Sequence, residues 1–297
     1  MVMALLSALL MASSGPIAKF SGLDASLLTL ARLSIGALCV LAWLGMRGQC
    51  HTLGRPDRYA LYNAVLLCGF MLGFLYALVQ LSLAQAIMLV YLAPLAAALV
   101  AMLLFNERLT FMQFGCMMAA LFGTWLLLPE VQSHSTHALP TQGLCYALLA
   151  LTSYTAYLLI NRQVKSRLPL HSRNFWQLAL GGGLMLLIIF VPHLTDIALG
   201  SNAVEPFPWQ HLTWQDMGYL LLAGLLPGFL AMLCALYALQ HLSTRLYGSL
   251  AYVEPAAVVI MGWIWFGEHL SLWQSLGVLL ILFSGIVQTQ LKNQTTT

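Results

Sequence analysis

The stretch YLAPLAAALVAMLLFNERLTFMQ, residues 91–113, decides the fold, because a second version of it, YVEPAAVVIMGWIWFGEHLSLWQ, follows at residues 252–274. Extended outward, residues 75–128 align without a gap on residues 236–289, and 16 of these 54 positions are identical. Leucine inflates such counts, so the matched tyrosines, prolines, glutamates and glutamines are more informative. The chain therefore contains an internal duplication, as many secondary transporters do.

The composition indicates a membrane protein. Of the 297 residues, 61% are hydrophobic and 7% are charged, whereas about 25% of the residues in a soluble domain are charged. A helix needs about 20 apolar residues to cross a bilayer. We predict an all-α integral membrane protein whose ten transmembrane helices lie at residues 2–20, 26–46, 58–80, 84–105, 111–128, 142–161, 173–192, 214–240, 246–266 and 272–290. We expect the N-terminal MVMALLSALLM to begin the first span rather than to be a cleaved signal.

The basic residues give the orientation. If the N-terminus is cytoplasmic and each span crosses once, ten of the 12 basic residues lie on the cytoplasmic side. These ten are Arg47, Arg55, Arg58, Arg108, Arg162, Lys165, Arg167, Arg173, Arg245 and Lys292. Such a bias is the positive-inside rule. We therefore predict a multi-pass protein of the cell membrane, in bacteria the inner membrane, with both termini in the cytoplasm.

The duplication and the span count together predict the domain organisation. Ten spans give five per repeat, and an odd number forces the second repeat to enter the membrane from the opposite face. We predict two inverted five-helix repeats, at residues 1–130 and 141–291, and a cytoplasmic tail at residues 292–297. Inverted repeats place a substrate site between them, near the bilayer midplane.

The repeated signature runs from Tyr91 and Pro94 through Glu107 to Gln113, and again from Tyr252 to Gln274. With ten spans in two halves, it resembles the EamA-type proteins of the drug/metabolite transporter superfamily. The resemblance implies a central cavity lined mainly by the first, third, fourth, sixth, eighth and ninth helices, and export from the cytoplasm. It does not define the cargo. One departure is Ala93, which precedes the first proline where the second repeat has an acid.

Part of the signature has a structural explanation. Thr110 with Gln113, and Ser271 with Gln274, have the spacing of a capping box, which satisfies free amides at the start of a helix. The glutamate three residues before each box falls on opposite membrane faces in the two repeats. A contact with one substrate is not expected on both faces, so we interpret these elements as folding devices.

Two ionisable side chains fall inside predicted spans. Glu254 lies about eight residues into the ninth span, where a carboxylate is by default functional, as a proton acceptor or as a counter-ion for a substrate amine. A purely structural carboxylate is the alternative. Arg32 lies about six residues into the second span. We expect Arg32 to extend toward the outer interface or to bond neighbouring carbonyls rather than to pair with Glu254.

The binding site is predicted from weakened helices and aromatic side chains. Ser13, Ser14 and Pro16 interrupt the first span, and polar residues 152–157 interrupt the sixth. Pro16, Pro94 and Pro255 are predicted to kink or gate their helices. The candidate substrate-binding residues are Ser13, Ser14, Tyr76, Tyr91, Tyr154, Tyr157, Trp176, Tyr237 and Tyr252, with Glu254 as the coupling residue. Packing or an interfacial aromatic belt remains the alternative for each aromatic residue.

These features favour a secondary transporter that exports a small neutral or zwitterionic, amino acid-like metabolite by alternating access, with proton coupling through Glu254 or with none. No ATP-binding loop and no zinc-type cluster of Cys and His occurs, so we expect no cofactor and no metal. Scattered basic residues argue against nucleic acid. The expected partners are a small-molecule substrate and the lipid bilayer; the oligomeric state is open, and a monomer is compatible. The alternatives are a non-transporting subunit or receptor and, more remotely, a membrane-embedded enzyme.

Overall fold

The structure, a computed structural model, describes residues 1–80, 89–105, 110–126, 141–163, 168–198, 212–267 and 271–294. Within these ranges every predicted span contains a helix, and we number the helices by span. They are α1a (Val2–Ala12), α1b (Ser14–Ser21), α2 (Ala25–Met46), α3 (Arg58–Gln80), α4 (Ala93–Phe105), α5 (Phe111–Leu126), α6 (Thr141–Gln163), α7 (Leu170–Ala198), α8a (Trp214–Ala223), α8b (Ala231–His241), α9a (Thr244–Ala251), α9b (Val253–Phe266) and α10 (Leu272–Gln294).

Length and composition fit a bilayer. Five helices are long and apolar enough to cross a membrane, and five shorter apolar helices accompany them. The prediction of an all-α membrane protein is therefore confirmed. One boundary was wrong: α7 continues to Ala198, although residues 193–213 were predicted to be a loop. Residues 295–297 of the predicted tail lie outside the described ranges.

Two helices begin at the capping boxes that the sequence predicted. The amide of Gln113 donates to Thr110 Oγ1 at 3.3 Å, and the amide of Thr110 donates to Gln113 Oε1 at 3.1 Å. Ser271 and Gln274 repeat the exchange at 3.0 and 3.2 Å. The structural interpretation of these pairs is confirmed; the adjoining Glu107 and Glu268 lie outside the described residues.

Corresponding helices of the two repeats pack against each other. Helix α2 crosses α7 where Gly182 faces Ser34, and α5 crosses α10 where Gly123 faces the backbone of Gly277. At both crossings a Cβ on the glycine would lie within 3 Å of the neighbouring helix. Small residues allow such close approach in membrane proteins. Contact between equivalent helices is the arrangement expected of repeats related by a two-fold axis.

One end of the bundle collects basic residues. The turn Cys50–Leu53 lies against the start of α7, where Ser172 Oγ donates to the Thr52 carbonyl at 2.8 Å. Trp176 Nε1 donates to the Leu53 carbonyl at 3.1 Å. We call this region the basic end; its described basic residues are Arg47, Arg55, Arg58, Arg162 and Arg173.

Candidate functional site

Three spans contain an interrupted helix. The regular helix breaks at Ser13 in the first span, at Leu92 in the fourth and at Tyr252 in the ninth. At Ser13 and Tyr252 the backbone stays in the right-handed helical region, with ψ values of −18° and −11°. Each helix resumes after its break, so these positions are local interruptions rather than loops.

A proline follows each break by two or three residues. Pro16, Pro94 and Pro255 are all buried and lie in the first turn of the resumed helix. An interruption just before each proline is compatible with the predicted kinks, since proline is tolerated in a first turn; a gating role stays a prediction. Each proline still lacks an amide, so the carbonyl four residues earlier loses its helical partner. For Pro255 that carbonyl belongs to Ala251.

A fourth interruption lies in the eighth span. Residues Gly224–Leu230, between α8a and α8b, form a π-helical segment that contains Pro227. Segments of this kind occur frequently at functional sites. The π segment packs on α2: a side chain at Gly228 would collide with the carbonyl of Arg32, and a Cβ on Gly36 would lie 3.1 Å from the carbonyl carbon of Gly228.

A small polar cavity lies between α1a, α6, α9a and α9b. It has a volume of about 20 Å³ and is lined by Ala4, Ser7, Ala8, Met11, Tyr154, Tyr247, Ala251 and Glu254. A cavity of this size holds about one water molecule. Glu254 is the second residue of α9b. Among the described residues, it is the one acidic side chain in the interior of a span, and it lies at a helix break beside Tyr154 and Tyr247.

Aromatic rings near the cavity form two groups. The rings of Phe70, Tyr154 and Tyr157 follow one another, with centroid distances of 4.7 and 6.5 Å. Tyr91 and Tyr252, which are equivalent in the sequence repeat, lie 6.1 Å apart. The Tyr252 hydroxyl donates to the Tyr91 carbonyl at 2.7 Å. Of the predicted aromatic residues, Tyr154 lines the cavity together with Glu254, and Tyr91, Tyr157 and Tyr252 belong to the ring groups beside it.

The remaining predicted residues lie elsewhere. Tyr76 is 49% exposed and contacts the Tyr146 ring at a tilt, and Tyr237 is 43% exposed and stacks on His241. Trp176 belongs to the basic end. Ser13 and Ser14 donate to the carbonyls of Leu10 and Met11 in their own helix, which is a structural role. These five positions do not line the cavity.

Arg32 does not extend to the outer interface as predicted. Its Nη2 donates to the thioether sulfur of Met11, a residue that lines the cavity. No direct ion pair within 4.0 Å joins Arg32 and Glu254. The Nε of Arg32 is buried and has no hydrogen-bond partner. The sequence predicted no direct pairing of Arg32 with Glu254, and the structure agrees with this; the contact of Arg32 with Met11 was not predicted.

The sequence also missed a lattice of buried polar side chains toward the basic end. Asn63 and Asn161 exchange hydrogen bonds at 2.9 and 3.2 Å. Arg173, only 3% exposed, donates to Asn161 Oδ1 at 2.8 Å. We call these three residues, which join α3, α6 and α7, the amide–arginine lattice. All three residues lie near the ends of their predicted spans, and nothing in their spacing indicated that they would meet.

A second chain of polar groups runs from the lattice toward the cavity. Asn161 Nδ2 donates to the Tyr157 carbonyl at 2.8 Å, and the Tyr157 hydroxyl donates to Gln177 Oε1 at 3.3 Å. Gln177 Nε2 donates to Asn174 Oδ1 at 3.2 Å. Because Tyr157 stacks on Tyr154, these buried groups connect the basic end with the wall of the cavity.

A larger hollow of about 330 Å³ lies on the outer side of α9b, between Leu9, Trp265 and Leu282. Its lining is apolar throughout. A hollow without polar groups cannot orient a metabolite. We therefore place the candidate site at the smaller cavity, where charge and hydroxyl groups converge.

Comparison with known proteins identifies the family. The profile of the EamA-like transporter family matches residues 1–128 and again residues 141–288. The chain belongs to this family. It is part of the drug/metabolite transporter superfamily, whose EamA members have ten transmembrane helices.

Relatives named in curated collections agree with this membership. An uncharacterized transporter of Archaeoglobus fulgidus is 25% identical over 280 residues, which cover 93% of this chain and 91% of that protein. The threonine/homoserine exporter RhtA of Salmonella typhimurium is 28% identical over 262 residues, with 88% and 80% covered. A solved crystal structure of a protein superposes with a TM-score of 0.79 at 20% identity, covering 98% of this chain and 97% of the other; that likeness concerns the fold.

Proposed function

We propose that this EamA family member is a secondary transporter that exports a small neutral or zwitterionic metabolite from the cytoplasm by alternating access. Because one relative is named a threonine/homoserine exporter, threonine and homoserine are the first solutes to test. The proposal places the protein in the cell membrane with both termini cytoplasmic. The basic end is then the cytoplasmic end.

The observation that carries the proposal is Glu254 at a polar cavity where helices of both repeats meet. An acid such as aspartate at the centre of a spanning helix costs about 3 kcal/mol on insertion scales. Such a group is kept where it acts on a substrate or an ion. Glu254 binds either the ammonium of the solute or a proton. Because it releases the proton on the opposite side of the membrane from the solute, proton entry is coupled to solute export.

Movement of helices is part of this proposal. Ligand pockets for small molecules have volumes of about 300 Å³ or more, whereas the cavity at Glu254 has about 20 Å³. A metabolite therefore enters only after the surrounding helices separate. The breaks at Ser13, Leu92 and Tyr252 let the two halves of a span move separately, and the amide–arginine lattice closes the cytoplasmic end until they do.

The test is solute exchange by the purified chain in liposomes. We expect labelled threonine or homoserine to exchange across the liposome membrane, and lysine and glutamate to exchange at least tenfold more slowly. A pH gradient is expected to drive accumulation by the wild type and by Glu254→Asp, but not by Glu254→Gln. Absence of exchange for every solute contradicts the transporter; unchanged pH-driven accumulation in Glu254→Gln contradicts the coupling role.

A further inference from the structure

The guanidinium of Arg32, a partly buried residue, is poorly satisfied by its neighbours. Its Nε is buried without any hydrogen-bond partner. The bond from its Nη2 goes to the sulfur of Met11, and a thioether is a weak acceptor. Because a buried charge is costly unless it is paired and hydrogen-bonded, this side chain has unused donors that an anion could accept.

The backbone that carries Arg32 is held on two sides. Gly228 of the π segment lies against the Arg32 carbonyl, and Gly182 of α7 lies against Ser34. Neither glycine position has room for a side chain, since a Cβ on Gly182 would lie 2.7 Å from Ser34 Oγ. The two crossings fix the α2 backbone around Arg32, and the side chain extends toward α1a at Met11.

Opposite charges thus flank one small polar cavity. Met11 separates the Arg32 guanidinium from the space that Glu254 and Tyr154 line. No ion pair within 4.0 Å joins Arg32 and Glu254. A fixed pair of this kind complements a molecule with a carboxylate and an ammonium, and arginine binds carboxylates through two parallel N–H donors.

We propose that Arg32 binds the carboxylate of the transported solute while Glu254 faces its ammonium, so that the site selects zwitterions over amines and amides. This inference rests on the proposed function and adds the group that recognises the anion. It also accounts for the position of Met11: the long, flexible thioether is a side chain that can move aside when a carboxylate replaces it.

A structural role for Arg32 makes a different prediction. If Arg32 only stabilised the bundle, replacing it would reduce transport of every solute in proportion to the loss of folded protein. If it binds the carboxylate, replacing it changes the relative recognition of solutes that differ only in that group. The experiment therefore measures a ratio between solutes, which is independent of the amount of folded protein.

The experiment uses exchange of labelled threonine by the full chain in liposomes, with three competitors: unlabelled threonine, threonine amide and the decarboxylated amine 1-amino-2-propanol. In the wild type, threonine is expected to compete at least tenfold better than the other two. In Arg32→Gln this preference is expected to fall by about tenfold, the effect of losing hydrogen bonds to one charged group. Arg32→Lys keeps the charge and is expected to retain an intermediate preference.

Two results overturn the inference: a wild type that accepts threonine and its amide equally, and an Arg32→Gln variant that keeps the full preference. If the wild type exchanges no solute, the proposed function fails. In that case the thermal stabilisation of the purified protein by the same three compounds tests whether Arg32 still forms a carboxylate site. Stabilisation by threonine alone, lost in Arg32→Gln, supports a carboxylate site. Equal stabilisation by all three compounds, or none, overturns it.

Discussion

Arg32 and Arg173 lie on corresponding helices of the two repeats, α2 and α7, yet their surroundings differ. Arg173 donates to Asn161, which is itself bonded to Asn63 and to the Tyr157 carbonyl. Arg32 has the sulfur of Met11 and an Nε without a partner. One arginine belongs to a satisfied lattice that joins three helices, and the other is left with unused donors beside a cavity.

The comparison teaches how a role can be inferred for a buried cation. A satisfied cation contributes to the folded state itself, since removing it leaves other buried groups unpaired. An unsatisfied cation lowers stability unless something outside the chain completes it. We therefore expect changes at Arg173 to lower stability, and changes around Arg32 to affect solute recognition more than stability. Three substitutions examine this difference.

The largest effect on stability is expected from Arg173→Met. The change leaves Asn161 Oδ1 with one donor fewer inside the bundle, and we expect a loss of about 1.5–3 kcal/mol, as for hydrogen bonds to charged groups. Thermal unfolding of the purified protein in detergent measures it. The control is Arg55→Met, because Arg55 is exposed. Equal melting temperatures for the two variants would remove the distinction between the arginines.

An intermediate effect is expected from Gly228→Ala. The added methyl group meets the Arg32 carbonyl, and neither backbone can yield unless α2 and the π segment separate. Overpacking of this kind costs about 1–3 kcal/mol, and threonine exchange should fall as well because Arg32 moves. Gly218→Ala in the same span is the matched control, since nothing lies within 4 Å of its added Cβ. A Gly228→Ala variant as stable and active as this control would show that the crossing does not position Arg32.

The smallest effect is expected from Met11→Leu. This swap nearly conserves volume and removes the thioether that Arg32 contacts, so a change below about 1.5 kcal/mol in unfolding free energy is expected. A thermal melt of the unliganded protein measures it against the wild type. A loss as large as that of Arg173→Met would mean that the sulfur is a true structural partner of Arg32, which would weaken the comparison.

Features that depend on neighbouring residues in the sequence could be predicted. The direction in which a side chain leaves its helix could not. The spans follow from the length of each apolar stretch, and the capping boxes at Thr110 and Ser271 follow from a spacing of three residues. Both signals lie within a short stretch of sequence. Tyr76 and Tyr237 match in the repeat, but both are substantially exposed on the bundle surface. Equivalence in a repeat gives the position along a helix and not the direction of its side chain.

The two buried arginines illustrate the same limit. Arg173 was predicted to be the first residue of the seventh span, at the cytoplasmic side, whereas α7 begins at Leu170 and Arg173 is buried with a hydrogen bond to Asn161 of α6. For Arg32 the sequence predicted no direct pairing with Glu254, but it gave no indication of the contact between Arg32 and Met11. Helix α1a approaches both Arg32 and Glu254 from the side. That approach depends on how the helices pack, which residue spacing does not reveal.

The contact between Tyr91 and Tyr252 has a consequence for how the duplicated halves can change. The bond runs from the hydroxyl of Tyr252 to the main-chain oxygen of Tyr91. Any amino acid at position 91 supplies that oxygen, whereas only a side chain with a suitably placed donor can serve at position 252. The two copies of one ancestral tyrosine are thus under unequal constraint, and substitutions are expected to be tolerated more readily in the first copy than in the second.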